Sequence, residues 1–175
     1  EGYIYPPLLA QTMAAAHDFV AMVSDRAGVS MTDADLWRGV FYLHQSVLLP
    51  LALLLTALCY TLARRLGMRR GDAAVLVGVC MLLNNPLVRS FEFNQVNLWV
   101  LDLMVLAILV VHRVPAVSGG LVALATHIKI YPVILLLPWA ARRRWHAIAS
   151  TIGVFVAIVL VQTAGLSDLS LWRQF

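Results

Sequence analysis

Phe91–Arg113 reads FEFNQVNLWVLDLMVLAILVVHR. Its second half is apolar enough to lie in lipid, with Asp102 inside the run. Its front end carries Glu92, Asn94, Gln95 and Asn97. A membrane helix that opens on amides and holds a carboxylate is a place to look for chemistry, because polar groups in hydrocarbon are costly unless partnered.

The rest of the chain has the same character. Of 175 residues, 61% are hydrophobic and 13% charged. Mean hydropathy is +0.83. Soluble domains are nearer half apolar and a quarter charged, so these values indicate an integral membrane protein. The net charge of +4 falls in short clusters between apolar runs, a pattern of membrane-protein loops rather than of a nucleic-acid surface. Cys59 and Cys80 both sit in apolar runs and form no metal or disulfide spacing. No P-loop, dinucleotide fingerprint, Ser–His–Asp order or HExxH occurs. The chain begins at Glu1 without a signal-type segment, and we expect it to be an internal piece of a longer membrane protein.

Periodicity and charge divide it into an all-α, polytopic arrangement. Residues 1–40 read as an outer-side loop with an interfacial helix from Leu8 to about Arg26, and Thr32 or Asp33 as the next N-cap. Residues 41–163 read as transmembrane, with about six hydrophobic passes: Phe41–Ala63, Ala73–Val88, Val96–Val111, Ala116–Thr126, Ile130–Ala141 and Ile148–Thr163. Residues 164–175 begin another outer loop. This path puts the arginines at 64–70, 113 and 142–144 on one side, expected to be cytoplasmic. Gly119 and Gly120 would let helices approach closely. Trp37, Tyr42, Trp139, Trp145 and Trp172 read as interface anchors.

Two passes, Ala116–Thr126 and Ile130–Ala141, are too short for about 30 Å of hydrocarbon. Between them lies THIKIYP, so Lys129 is expected to look into a watery cavity. A lysine there suits a phosphate contact, or a snorkelling helix end. His127 and Tyr131 are four apart and would share a helical face, with His127 read first as structural. Asn94, Gln95 and Asn97 suit sugar hydroxyls, or capping and interhelical bonds. Asp102 shares a face with Gln95 and reads first as an interhelical partner, with a catalytic base as the alternative. Arg89 and Glu92 either pair or meet ligand, and Asp18, Asp25, Asp33 and Asp35 are outer carboxylates, each either solvated or a general base. Tyr5 with Pro6 and Pro7 makes a rigid corner.

Taken in order, YIYPPL, FNQVNLWVLDLMVLAILV and SGGLVALATHIKIYPVILLLPWAARRRW resemble glycosyltransferase family 87, the GT-C-type mannosyltransferases dependent on polyprenol-phosphate-mannose. The matching positions are Tyr5–Pro6–Pro7, Gln95 and Asn97, and Lys129 with Pro132, over roughly residues 1–10 and 84–146. Asn94 stands where the family commonly has Gly, and some thirty residues of mixed polarity follow Pro7 where a span is usual. The resemblance implies an inverting transfer of a sugar from a polyprenyl-phosphate donor to a lipid or glycan acceptor at the outer face of a bacterial plasma membrane. It implies no metal and no cofactor. It gives Lys129 and Arg89 the donor phosphate. Gln95, Asn97, Asn94, Tyr5, Tyr131 and His127 would orient sugar or phosphate. The general base is expected upstream of Glu1. A transporter or flippase of lipid-linked or small solutes is the alternative, since broken helices beside an ionisable residue also mark transport sites.

Overall fold

The fold is taken from a computed structural model, which describes residues 7–93 and 95–163. Eight α-helices and one short 3-10 helix follow one another, with no strand among the described residues. Helix α1 runs Pro7–Arg26 and α2 Asp33–Arg65. Pro7 can open α1 because its missing N–H would have no partner there. Of the two expected candidates, Thr32 is the N-cap of α2: its hydroxyl accepts from the Asp35 N–H at 3.3 Å and donates to the Asp35 carboxylate at 2.7 Å. The cap starts α2 eight residues before Phe41, so the first long helix reaches further out than the apolar run alone suggested.

Helices α3 (Arg70–Leu82) and α4 (Asn85–Glu92) are bent by 50° at a short break. Asn84 caps α4 through its side chain, accepting from the Leu87 N–H at 3.1 Å, and Pro86 follows inside the first turn. Helix α5 is Asn97–Val110 and α6 Pro115–Ile128. A 3-10 helix, Tyr131–Leu135, leads into α7, Leu136–Ala141, and α8 is Trp145–Gln162.

Among the described residues, only α2 and α8 are long and apolar enough to cross a membrane, or three elements if the bent α3–α4 pair counts as one. Helices α5 and α6 have 14 residues each. At about 1.5 Å per residue each is near 21 Å, short of hydrocarbon thickness. The six expected passes are therefore unequal: α5, α6 and the 3-10–α7 segment are all short. Short helices are tolerated where protein surrounds them. Accordingly α6 packs on both α5 and α8, and α5 also packs on α2.

Small residues hold this inner group together. At Gly119 an added Cβ would lie 2.3 Å from the Ala147 carbonyl oxygen and 2.7 Å from Ser150 Cβ. Gly120 meets only Val154, at 3.9 Å, so the close approach belongs to Gly119 alone. The Ser118 hydroxyl donates to Ala107 O and the Ser150 hydroxyl to Ala116 O, both at 2.7 Å. Ala107, Val111, Val122, Trp139 and Ala147 form one buried cluster. Trp139 is thus a core residue, 4% exposed, rather than an interface anchor; the short α7 folds it back against α8. Trp145 is exposed, and Trp172 lies outside the described residues.

The arginine-rich loops gather at one end of the bundle. Arg65 donates to the Leu109 carbonyl at the end of α5. Arg144, before α8, lies 2.6 Å from His112 in the α5–α6 turn.

Candidate functional site

At the opposite end, two helix breaks and helix α4 meet. The first break is Lys129. Helix α6 stops at Ile128 because Pro132 has no N–H to bond the Ile128 carbonyl and its ring would collide with it. Lys129 is left extended, with φ −147° and ψ 140°. Its ammonium donates to Asn97 Oδ1 at 2.7 Å. The second break is the start of α5, where Asn97 is the first helical residue and Gln95 lies before the helix. The Asn97 amide nitrogen donates to Gln95 Oε1 at 2.5 Å and to the Ser90 hydroxyl at 3.3 Å. In α4, the buried Ser90 hydroxyl donates on to the Pro86 carbonyl at 2.8 Å.

Lys129, Asn97 and Gln95 thus form one hydrogen-bonded chain anchored on Ser90. The ordering is chemically specific. Asn97 turns its carbonyl oxygen to the ammonium and its NH2 to Gln95 and Ser90, using both ends of the amide. A cation is thereby fixed at a helix break, half-buried, with apolar Ile128 and Ile130 on either side along the chain.

The other expected site residues are placed differently. Arg89 is exposed on α4, one residue before Ser90. Among the described residues neither Arg89 nor Glu92 has a side-chain ion pair. Tyr131 is 42% exposed at the start of the 3-10 helix. It does not share a helical face with His127, because the break at Lys129 separates them. His127 is buried and turned towards α8: Nε2 donates to Phe155 O at 3.2 Å, and the ring stacks on Phe155 with centroids 4.2 Å apart. Tyr5 and Asn94 lie outside the described residues. Asp102 is buried, yet neither carboxylate oxygen has a hydrogen-bond partner among the described residues. The expected shared face with Gln95 is lost because α5 begins after it.

Three contacts around the cluster were not foreseen. Gln45 of α2 donates to the Phe91 carbonyl at 3.2 Å, tying α2 to the end of α4. Trp99 of α5 donates to His44 Nε2 at 3.1 Å. On α1, His17 lies against Trp37 with centroids 4.8 Å apart and ring planes tilted by 39°, and it is 3.1 Å from the Asp33 carboxylate. That last pair removes Asp33 from the set of bare outer acids, and Arg38 with Thr32 does the same for Asp35. No group of three or more His, Cys, Asp or Glu able to hold a metal occurs among the described residues.

Long apolar helices flanking short ones, with a lysine and amides locked together where the short ones break, define an all-α membrane protein with a polar site at one end of its bundle. The family profile for glycosyltransferase family 87 matches residues 3–175, and the chain belongs to that family. A polyprenol-phosphate-mannose-dependent alpha-(1-2)-phosphatidylinositol mannoside mannosyltransferase of Mycolicibacterium smegmatis is 34% identical over 88 residues, covering 50% of this chain. The aligned segment spans only 20% of that relative's length. No solved structure matches the chain.

Proposed function

We propose that the protein is a membrane hexosyltransferase that transfers a sugar, most simply mannose, from a polyprenyl-phosphate donor to a hydroxyl of a lipid or glycan acceptor. Family membership and the mannosyltransferase relative support the reaction class. The observation that carries the mechanism is the Lys129–Asn97–Gln95 chain.

The donor is a phosphodiester with one negative charge. A base takes the acceptor hydroxyl proton, and the oxygen attacks the anomeric carbon from the face opposite the phosphate. The new C–O bond forms as the anomeric C–O(phosphate) bond breaks, so configuration inverts. The bond's electrons leave on the phosphate, which becomes a monoester with a second negative charge. A fixed cation beside that oxygen is worth more in the transition state than in the ground state. Lys129 takes this role in our reading. Asn97 holds its side chain in place, and Gln95 completes the amide surface that faces sugar or phosphate. Arg89 stands near enough in sequence to the Ser90 anchor to add a second positive charge at the mouth. The base is not assigned to a described residue.

We place the site on the outer side of a bacterial plasma membrane, with the arginine-rich end in the cytoplasm, on the charge asymmetry of the loops. The test is to supply radiolabelled polyprenyl-phosphate mannose to membranes containing the protein. Label moving to glycolipid or glycan supports the proposal. Absence of transfer from this and other polyprenyl-linked sugars, with solute movement instead, would replace it by the transporter reading.

A further inference from the structure

We infer that the apolar cavity walled by α1, α2 and the facing ends of α5 and α6 seats the first isoprene units of the donor lipid. This rests on the donor-phosphate role given to Lys129. The cavity has a volume of about 340 Å³. Met13 and Ala16 of α1 line it, with Leu43 and Val47 of α2. At its other side are Val96 and Ile128. Those two are the chain neighbours of Asn97 and Lys129, whose side chains are bonded to each other. Neighbouring Cα atoms are about 3.8 Å apart, so the cation site and the cavity share an edge. A phosphate resting on the ammonium would have its ester carbon at that edge.

The wall chemistry fits a single unsaturated, methyl-branched chain. The lining is apolar except for Thr12 and the His44–Trp99 pair. The indole N–H donates to the imidazole at 3.1 Å, and the two rings lie 14° from parallel. The polar edges of these rings are thus turned on each other, which leaves aromatic surface for hydrocarbon. The volume is at the low end of ligand pockets, which run ~300–1,000 Å³. One short stretch of chain fits it, whereas the two acyl chains of a phospholipid do not. The remaining isoprene units would continue into the bilayer, where burial of methylenes is equally favourable.

The experiment uses the protein in membranes and a polyprenyl phosphate carrying a diazirine in its first or second isoprene unit. After irradiation, labelled residues are located by peptide mass spectrometry, with and without excess unlabelled polyprenyl phosphate. The expected result is competed labelling of Met13, Leu43, Val47 or Trp99, reduced about tenfold by Ala16→Trp, which removes the burial of two or more methylene-sized groups. Competed labelling confined to other helices would overturn the cavity assignment while leaving the donor reading of Lys129 intact. No competed labelling anywhere would remove both. A diazirine-bearing diacyl phospholipid that labels the same four residues, undisplaced by polyprenyl phosphate, would make the cavity a bulk-lipid site and overturn the isoprenoid assignment.

Discussion

Replacing Gly119 with alanine should destabilise the protein even though alanine is the better helix former. In an exposed helix interior the change would gain ~1 kcal/mol. Here the new Cβ would sit 2.3 Å from Ala147 O and 2.8 Å from Thr151 N, both backbone atoms of α8. Carbon–oxygen contacts tolerate about 3.3–3.6 Å, so α6 and α8 must part by roughly 1 Å. A gap of that size forfeits a quarter to a half of the dispersion energy for atoms across it. Overpacking of this kind costs ~1–3 kcal/mol, which exceeds the propensity gain. Gly120→Ala is the internal control, since its nearest neighbour, Val154 Cγ2, is at ordinary contact distance of 3.9 Å. Thermal unfolding in detergent, followed by loss of soluble monodisperse protein, should give a lower midpoint for Gly119→Ala and an unchanged or raised one for Gly120→Ala. Because Lys129 caps α6, the first variant should also lose transfer activity. A Gly119→Ala protein as stable as wild type would refute the packing of α6 on α8.

Other consequences follow from the same contacts. Trp139→Ala should lower stability by about 3 kcal/mol or more, as a large aromatic lost from a closed cluster, read as the same thermal midpoint. Ser118→Ala removes the bond to Ala107 O and should cost ~0.6 kcal/mol, at most about 1.7, a small shift measurable against Gly119→Ala. Asn97→Asp turns the contact with Lys129 into an ion pair, which neutralises the cation, and removes the donations to Gln95 and Ser90; KM for the donor should rise. Equal KM values for Asn97→Asp and wild type would detach Asn97 from the site.

Local sequence signals carried a good part of this architecture. A cap at Thr32 or Asp33 and the extent of α1 depend on neighbours in the chain, and both were legible. A break near Lys129 was legible as the gap between two short passes, although it removes the helical face that His127 and Tyr131 were expected to share. What no local pattern carried were choices made across the bundle. Gly119 and Gly120 look alike in sequence, and only the position of Ala147 distinguishes them. Trp139 reads as an anchor until the 3-10 turn folds α7 onto α8. Asp102 was expected to find an interhelical partner, and no described residue supplies one. Of the site, Lys129, Asn97 and Gln95 could be named individually, but their contact spans 32 residues and needs the packed helices to appear. Ser90 was missed because a serine inside a short helix gives no signal, and His44 because its indole partner is 55 residues away.

The central claim is that Lys129 stabilises the charge that develops on the departing polyprenyl phosphate. Its most direct test is the rate of transfer from radiolabelled polyprenyl-phosphate mannose by wild type and Lys129→Ala in membranes, at matched protein levels and thermal midpoints. Removing one fixed stabilising group from a developing anion typically costs on the order of 10²–10³ in rate. The account predicts a loss of that order in kcat. Transfer within about threefold of wild type would contradict it, and would make Lys129 a helix-end charge with no part in the chemistry.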